Sequence, residues 1–192
     1  MDKLNIGFAL CGSFCTFKKA IEQIEELAAD GHNIIPIMSY NAYSTDTRFG
    51  KAQEHKDRIE TICANRIISS IAEAEPIGPK KLLDILIIEP CTGNTLAKLA
   101  NSIADTPVTL AAKSHLRNSR PVLIAVSTND ALAGAAKNIG HLLNYKNFYF
   151  IPYRQDDYDG KPTSIVADFS QTKEAMYKAI KGQQIQPLIR NK

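Results

Sequence analysis

Short apolar runs alternate along this chain with longer stretches in which apolar residues recur every three or four positions. The runs at residues 4–10, 33–38, 85–88, 121–126 and 147–151 are bounded by small polar or turn residues and read as buried strands. After the first, Phe17, Ala20, Ile21, Ile24 and Leu27 share a helical face that Gly31 closes as a left-handed cap. The span 49–64 aligns Ala52, His55, Ile59, Ile62 and Cys63 as a second amphipathic helix. Leu96, Leu99, Ala100 and Ile103 form the next face, and Pro107 suits the first turn of a helix with Val108, Ala111, Ala112 and His115 inward. Ser127-Thr128-Asn129-Asp130 caps a helix carrying Leu132, Ala135, Ile139, Leu142 and Leu143. A final helix over about 170–181 has Met176, Ala179 and Ile180 inward and Gly182 as its stop.

The remaining segments are less regular. Residues 39–46 make a hydroxyl-rich loop, 66–71 a short strand, and 72–79, with two prolines around a glycine, a shaped loop without regular structure. Residues 80–84 make one helical turn. Residues 153–160 form a polar loop whose acidic cluster reads either as a cation site or as a solvated connection. The tail from about 183 is frayed or docked on a neighbouring protomer. Strand and helix alternation implies a parallel sheet, an α/β fold and one domain over 1–192.

Composition narrows the class. With 44% hydrophobic and 22% charged residues, the chain reads as soluble and globular. A net charge of +3 without a basic block gives no reason to expect nucleic acid. No apolar run is long enough for a membrane span, and Met1-Asp2-Lys3 leads into a strand rather than a signal peptide. Cys11, Cys15, Cys63 and Cys91 are scattered, lack metal-ligand spacing, and read as reduced thiols of a cytoplasmic protein. No metal site is expected.

The candidate chemistry lies in three strand-to-helix turns, at Gly12, Thr92 and Ser127. Parallel strands would bring them to one rim, where free N–H groups at helix starts suit a phosphate or another polar ligand. An ordinary N-capped helix explains each turn alone equally well. The glycines match neither the dinucleotide fingerprint nor a Walker loop. No Ser-His-Asp order or carboxylate pair stands out, so a bound phosphorylated cofactor such as flavin fits the rim better than catalysis by side chains alone.

Pro90-Cys91-Thr92-Gly93-Asn94-Thr95 with Lys98-Leu99-Ala100 resembles the flavin-contacting motif of the flavoprotein family that includes cysteine decarboxylases and flavin prenyltransferases. Gly12-Ser13-Phe14 stands where that family holds the FMN phosphate, and 120–129 is similar to its next strand and turn. The likeness covers nearly the whole chain. It implies FMN, a flavodoxin-like (Rossmann-like) three-layer sandwich with a mostly parallel sheet, and a homo-oligomer built from trimers, up to a dodecamer. The cofactor-binding set it implies is Gly12, Ser13, Phe14, Ser39, Pro90, Thr92, Asn94, Thr95, Lys98, Ser127 and Thr128.

Asn129 stands where the decarboxylases place an asparagine that recognises a substrate carboxylate, and is the catalytic candidate. Val126 and Thr128 replace the proline and methionine of the decarboxylase pattern, Leu132 replaces its second methionine, and only His55 loosely matches the catalytic histidine. Among the family's members the resemblance points to a protein that works with an NAD(P)-dependent partner to oxidise a small dihydropyridine dicarboxylate, in the mother cell of a spore-forming bacterium. Lys98, Lys113 and Arg117 are the candidate helpers for its two carboxylates. A decarboxylase-like lyase and a non-catalytic flavin-binding module that supports the partner are the alternatives.

Overall fold

A computed structural model describes residues 3–190, so the reading of the first three residues falls mostly outside it. Strands β1 (Asn5–Leu10), β2 (Asn33–Met38), β3 (Ile85–Cys91), β4 (Val122–Thr128) and β5 (Phe148–Phe150) form a parallel sheet in the spatial order β2-β1-β3-β4-β5. Strand β4 outruns β5, and its last residues, Ser127 and Thr128, pair antiparallel with β7 (Ile165–Ala167), which in turn pairs with β6 (Tyr153–Arg154). This is the parallel α/β sheet that alternation implied, in the flavodoxin-like strand order that the family resemblance implied. The small antiparallel pair was not legible, because β6 and β7 are two and three residues long.

Helices cover both faces. Helix α1 (Phe17–Ala29) and α8 (Thr172–Ile180) pack on one side of the sheet, with α2 (Tyr40–Ser44) and α3 (Ala52–Cys63) at the β2 edge. Helices α4 (Ile71–Ala74), α5 (Gly93–Ala100), α6 (Pro107–Leu116) and α7 (Ala136–Leu143) pack with one another and with β3, β4 and β5. Strands sandwiched this way are apolar throughout: every residue of β3 is buried. No helix among the described residues is long and apolar enough to cross a membrane.

Two of the glycine stops behave as expected. Gly31 (φ +87°) and Gly182 (φ +73°) close α1 and α8 in the left-handed conformation, each with paired backbone bonds back into the helix. Helix α5 ends in the same way on Ser102 (φ +58°), whose N–H and that of Ile103 return to Leu99 O and Lys98 O. Ile103 therefore leaves the helical face assigned to it and is 46% exposed.

Several expected segments differ. Ser39 Oγ accepts the Ala42 N–H, so part of the loop over 39–46 is helical. Over 66–71 only Ile68 bridges Ile37, and no strand forms. Ser70 and Glu73 cap each other, so α4 and a 3-10 turn at Glu75–Ile77 replace the irregular loop expected over 72–79; Pro76 sits in its first turn, where a missing N–H costs nothing. Residues 80–84 make no helix of their own, Lys81 being left-handed (φ +50°). The helix after β4 starts at Ala136, not at a cap on Ser127, because β7 claims Ser127 and Thr128 and the Thr163 carbonyl claims the Leu132 N–H. Leu132, ahead of this helix, and Leu143 at its last position are exposed, and so is Ile180 at the last position of α8, against the inward faces expected for them.

The acidic loop is stitched internally: Asp157 Oδ1 accepts the Gly160 N–H and Asp156 faces Lys161. No group of three metal-ligating side chains occurs among the described residues. The tail is neither frayed nor free as far as it is described. Gln184 bonds both backbone groups of Phe150, and Tyr153 pairs with Leu188 and Arg190.

Candidate functional site

Strand β1 ends beside β3, and its chain turns through Gly12 and Ser13 into a 3-10 turn at Phe14–Thr16. The Cys11 N–H donates to Pro90 O at 3.2 Å, which fastens this turn to the end of β3. There Thr92 caps α5, its Oγ1 accepting the Thr95 N–H, while the Thr95 hydroxyl donates to Cys11 Sγ at 3.3 Å. The third turn closes on the other two. Ser127 Oγ lies 2.8 Å from Ser13 Oγ, and a Cβ on Gly93 would lie 2.6 Å from Asp130 Oδ1 and 2.9 Å from Thr128 Oγ1. Glycine at 93 lets α5 start this close to the β4 turn without displacing the Asp130 and Thr128 side chains. Three bends distant in sequence thus share one carboxyl edge.

The rim presents hydroxyls and N–H groups, with the Asp130 carboxylate on its β4 side. Ser13 is half-buried and Ser127 5% exposed, and the first turn of α5 leaves N–H groups without an intrahelical carbonyl. Asn94 stands exposed in that turn, and Phe14 stacks on Phe17 with centroids 5.1 Å apart. Pro90 is buried in β3 and reaches the rim only through its carbonyl. Ser39, next to the Gly12 turn through its N–H to Leu10 O, spends its side chain on the α2 cap. Asn129 is exposed at the β4 turn; its backbone carbonyl accepts the Thr163 hydroxyl, and its Oδ1 accepts from Ser164 Oγ at 3.4 Å, which leaves Nδ2 free to donate.

The proposed cations do not join this set. Lys98 lies in the last turn of α5 and holds Asp105 at 2.6 Å, and Lys113 and Arg117 line a groove at the amino edge of the sheet, beside the start of β5. Helical spacing had placed them on surfaces without saying which edge those surfaces face. His55 lies behind the first turn, stacked edge-on against Phe17 at 5.3 Å, with its Nε2 buried and unpartnered. The two buried thiols behind the turns are poor nucleophiles: burial pushes Cys11 up to about 11 and Cys91 well above the usual thiol value.

Two residues escaped the sequence reading. Asp130 reaches the rim, accepting from the Thr128 hydroxyl at 2.6 Å. Glu89, fully buried in β3 one residue before Pro90, accepts the Thr172 hydroxyl at 2.8 Å, and its Oε1 has no partner. A carboxylate inside an apolar run was the available signal for it. Burial pushes this carboxyl well above the ordinary glutamate value, so the folded protein keeps a proton that the unfolded chain has lost. The native state binding more protons, stability declines as pH rises above about 4.5. Glu89→Gln is expected to flatten that decline, by about 1.4 kcal/mol for each unit by which the pKa was raised. Urea midpoints at acidic and mildly alkaline pH check this; parallel slopes for the two proteins would contradict it.

The donor set fits FMN. A phosphate matches the Ser13 and Ser127 hydroxyls with the N–H groups of the turns, and the polar edge of a flavin ring matches the start of α5. The turns make an open shelf, with Gly12, Ser13, Phe14, Thr92 and Gly93 half-exposed.

The model of the family described as Flavoprotein matches residues 1–180. The chain is 45% identical over 184 residues to the B subunit of dipicolinate synthase from Bacillus subtilis (strain 168), covering 96% of this chain and 92% of that protein. The crystal structure of the same B subunit from Bacillus halodurans superposes with a TM-score of 0.90 at 41% identity, over 98% of this chain and 97% of that one. Burkholderia xenovorans DmrB in complex with FMN shares the fold, with a TM-score of 0.70 at 17% identity over 93% of this chain and 96% of its own. With its three polar turns gathered at one sheet edge and the family's pattern running through nearly its whole length, the chain belongs to the flavoprotein family.

Proposed function

We propose that this chain is the FMN-binding B subunit of a dipicolinate synthase, acting with an NAD(P)-dependent A subunit to oxidise dihydrodipicolinate to dipicolinate during sporulation. The observation that carries the reading is the Ser13–Ser127 hydroxyl pair, 2.8 Å apart, beside the capped start of α5. The similarity to the B subunit of dipicolinate synthase over 96% of the chain supports this choice of substrate.

Aromatisation removes the equivalent of a hydride and a proton from the dihydropyridine ring. The oxidation needs one two-electron acceptor, which a bound FMN would supply here or the nicotinamide of the A subunit would supply in its place. The chain's own residues bind and orient. Gly12, Ser13, Phe14 and Ser127 hold the phosphate, and Thr92, Asn94 and Thr95 present hydroxyl, amide and N–H groups to the flavin. Asn129, its Oδ1 engaged by Ser164, turns its Nδ2 to a substrate carboxylate. The protein works in the cytoplasm as a homo-oligomer, a trimer or a dodecamer of trimeric units.

The test combines binding with turnover. Purified protein titrated with FMN is expected to take up one flavin per chain. Dipicolinate formation by the A subunit, followed by ultraviolet absorbance, is expected to rise when this chain is added. Turnover by the A subunit that is the same with and without this chain would remove its chemical role, and protein that stays colourless with excess FMN would remove its cofactor.

A further inference from the structure

At the amino edge of the sheet, away from the three turns, α6, the loop after α5 and the segment leading into β5 enclose a groove of about 360 Å³, a size that suits a small molecule. Its apolar lining includes Ile103, Leu116, Tyr145 and Phe148, the two aromatic rings tilted by 45° at 6.4 Å. Lys113, Arg117 and Lys146 line it as well. None of these three cations is in an ion pair among the described residues. The carboxylate next to the lining in sequence, Asp105, is already held by Lys98 at 2.6 Å. Lys113 in the last turn of α6 and Arg117 at its C-cap moreover stand four residues apart, a helical spacing at which like charges repel. An uncompensated positive cluster over an apolar aromatic lining is complementary to a flat ring bearing two negative charges.

We propose that this groove is a second binding site, taking a small aromatic dicarboxylate. The ring rests on the apolar lining, and Lys113, Arg117 and Lys146 are the cations available to its two carboxylates. The proposal owes nothing to the flavin reading, because no residue of the rim contributes to the groove.

Calorimetric titration of the full chain with benzene-1,3-dicarboxylate tests it, with benzoate as the singly charged control. Saturable binding at one groove site per chain, counted in an Asn129→Ala background that removes the proposed rim contact to a carboxylate, is expected, weaker for benzoate and weakened about tenfold or more by Lys113→Ala combined with Arg117→Ala. Lys146→Ala, a separate exposed position, is expected to weaken it by itself, and an unchanged melting temperature without ligand shows that each variant folds. Asn129→Ala, on the opposite edge, leaves this binding as it was. Three outcomes would overturn the proposal: no saturable uptake, equal affinity in the double variant, or loss on Asn129→Ala alone.

Discussion

Ser13→Asp is expected to strip the protein of flavin while leaving it folded. Ser13 Oγ sits 2.8 Å from Ser127 Oγ at the mouth of the proposed phosphate site, and the residue is half-buried on the open side of the shelf. A carboxylate there faces the phosphate across about 4 Å, where like charges cost about 4 kcal/mol at an effective dielectric of about 20, close to a thousandfold in affinity. Removing donors without adding charge is milder. Ser13→Ala with Asn94→Ala forfeits two hydrogen bonds to a charged or polar ligand, roughly 10- to 100-fold. Flavin absorbance of the purified proteins and fluorescence titration with FMN measure both. If the aspartate variant held flavin as tightly as the parent, the phosphate would lie elsewhere.

Ile124→Ala is expected to cost about 3–5 kcal/mol of stability. Ile124 is fully buried in β4, in register with Ile88 of β3 on one side and Phe150 of β5 on the other, and helices cover both faces of that sheet. Neighbours fixed in two strands cannot collapse into the void, so the loss includes both transfer and cavity terms. Set against a total of about 5–15 kcal/mol, one substitution removes a large share. Ile35→Ala, at a partly exposed position of the edge strand β2, should cost about 1 kcal/mol or less. Chemical denaturation of the three proteins compares them, and similar midpoints for the two variants would contradict this placing of the core.

Much of the fold that carries the candidate site was readable from the residues alone. Gly31 and Gly182 announced their helix ends, Pro107 its helix start, and Thr92 its cap, because each acts on backbone within one turn of itself. The family's motif at Pro90–Thr95 fell on the strand end and helix start where those residues sit. The errors have a common form. Ser127 and Thr128 read as helix caps, but a strand more than thirty residues later pairs with them, and local propensity yields to that partner. Lys98, Lys113 and Arg117 read as companions of Asn129, yet they lie with Asp105 and in the amino-edge groove.

What the order of residues determined by itself is the alternation of strands and helices, the polarity of each helix face and the chemical character of three turns, all set by contacts within a few positions. Only the tertiary structure decided that Ser13 meets Ser127, that Gly93 lies against the Asp130 side chain, and that the cations stand at the other end of the sheet. Periodicity tells which side of an element is buried, but the direction and neighbours of each strand decide which edge its ends share.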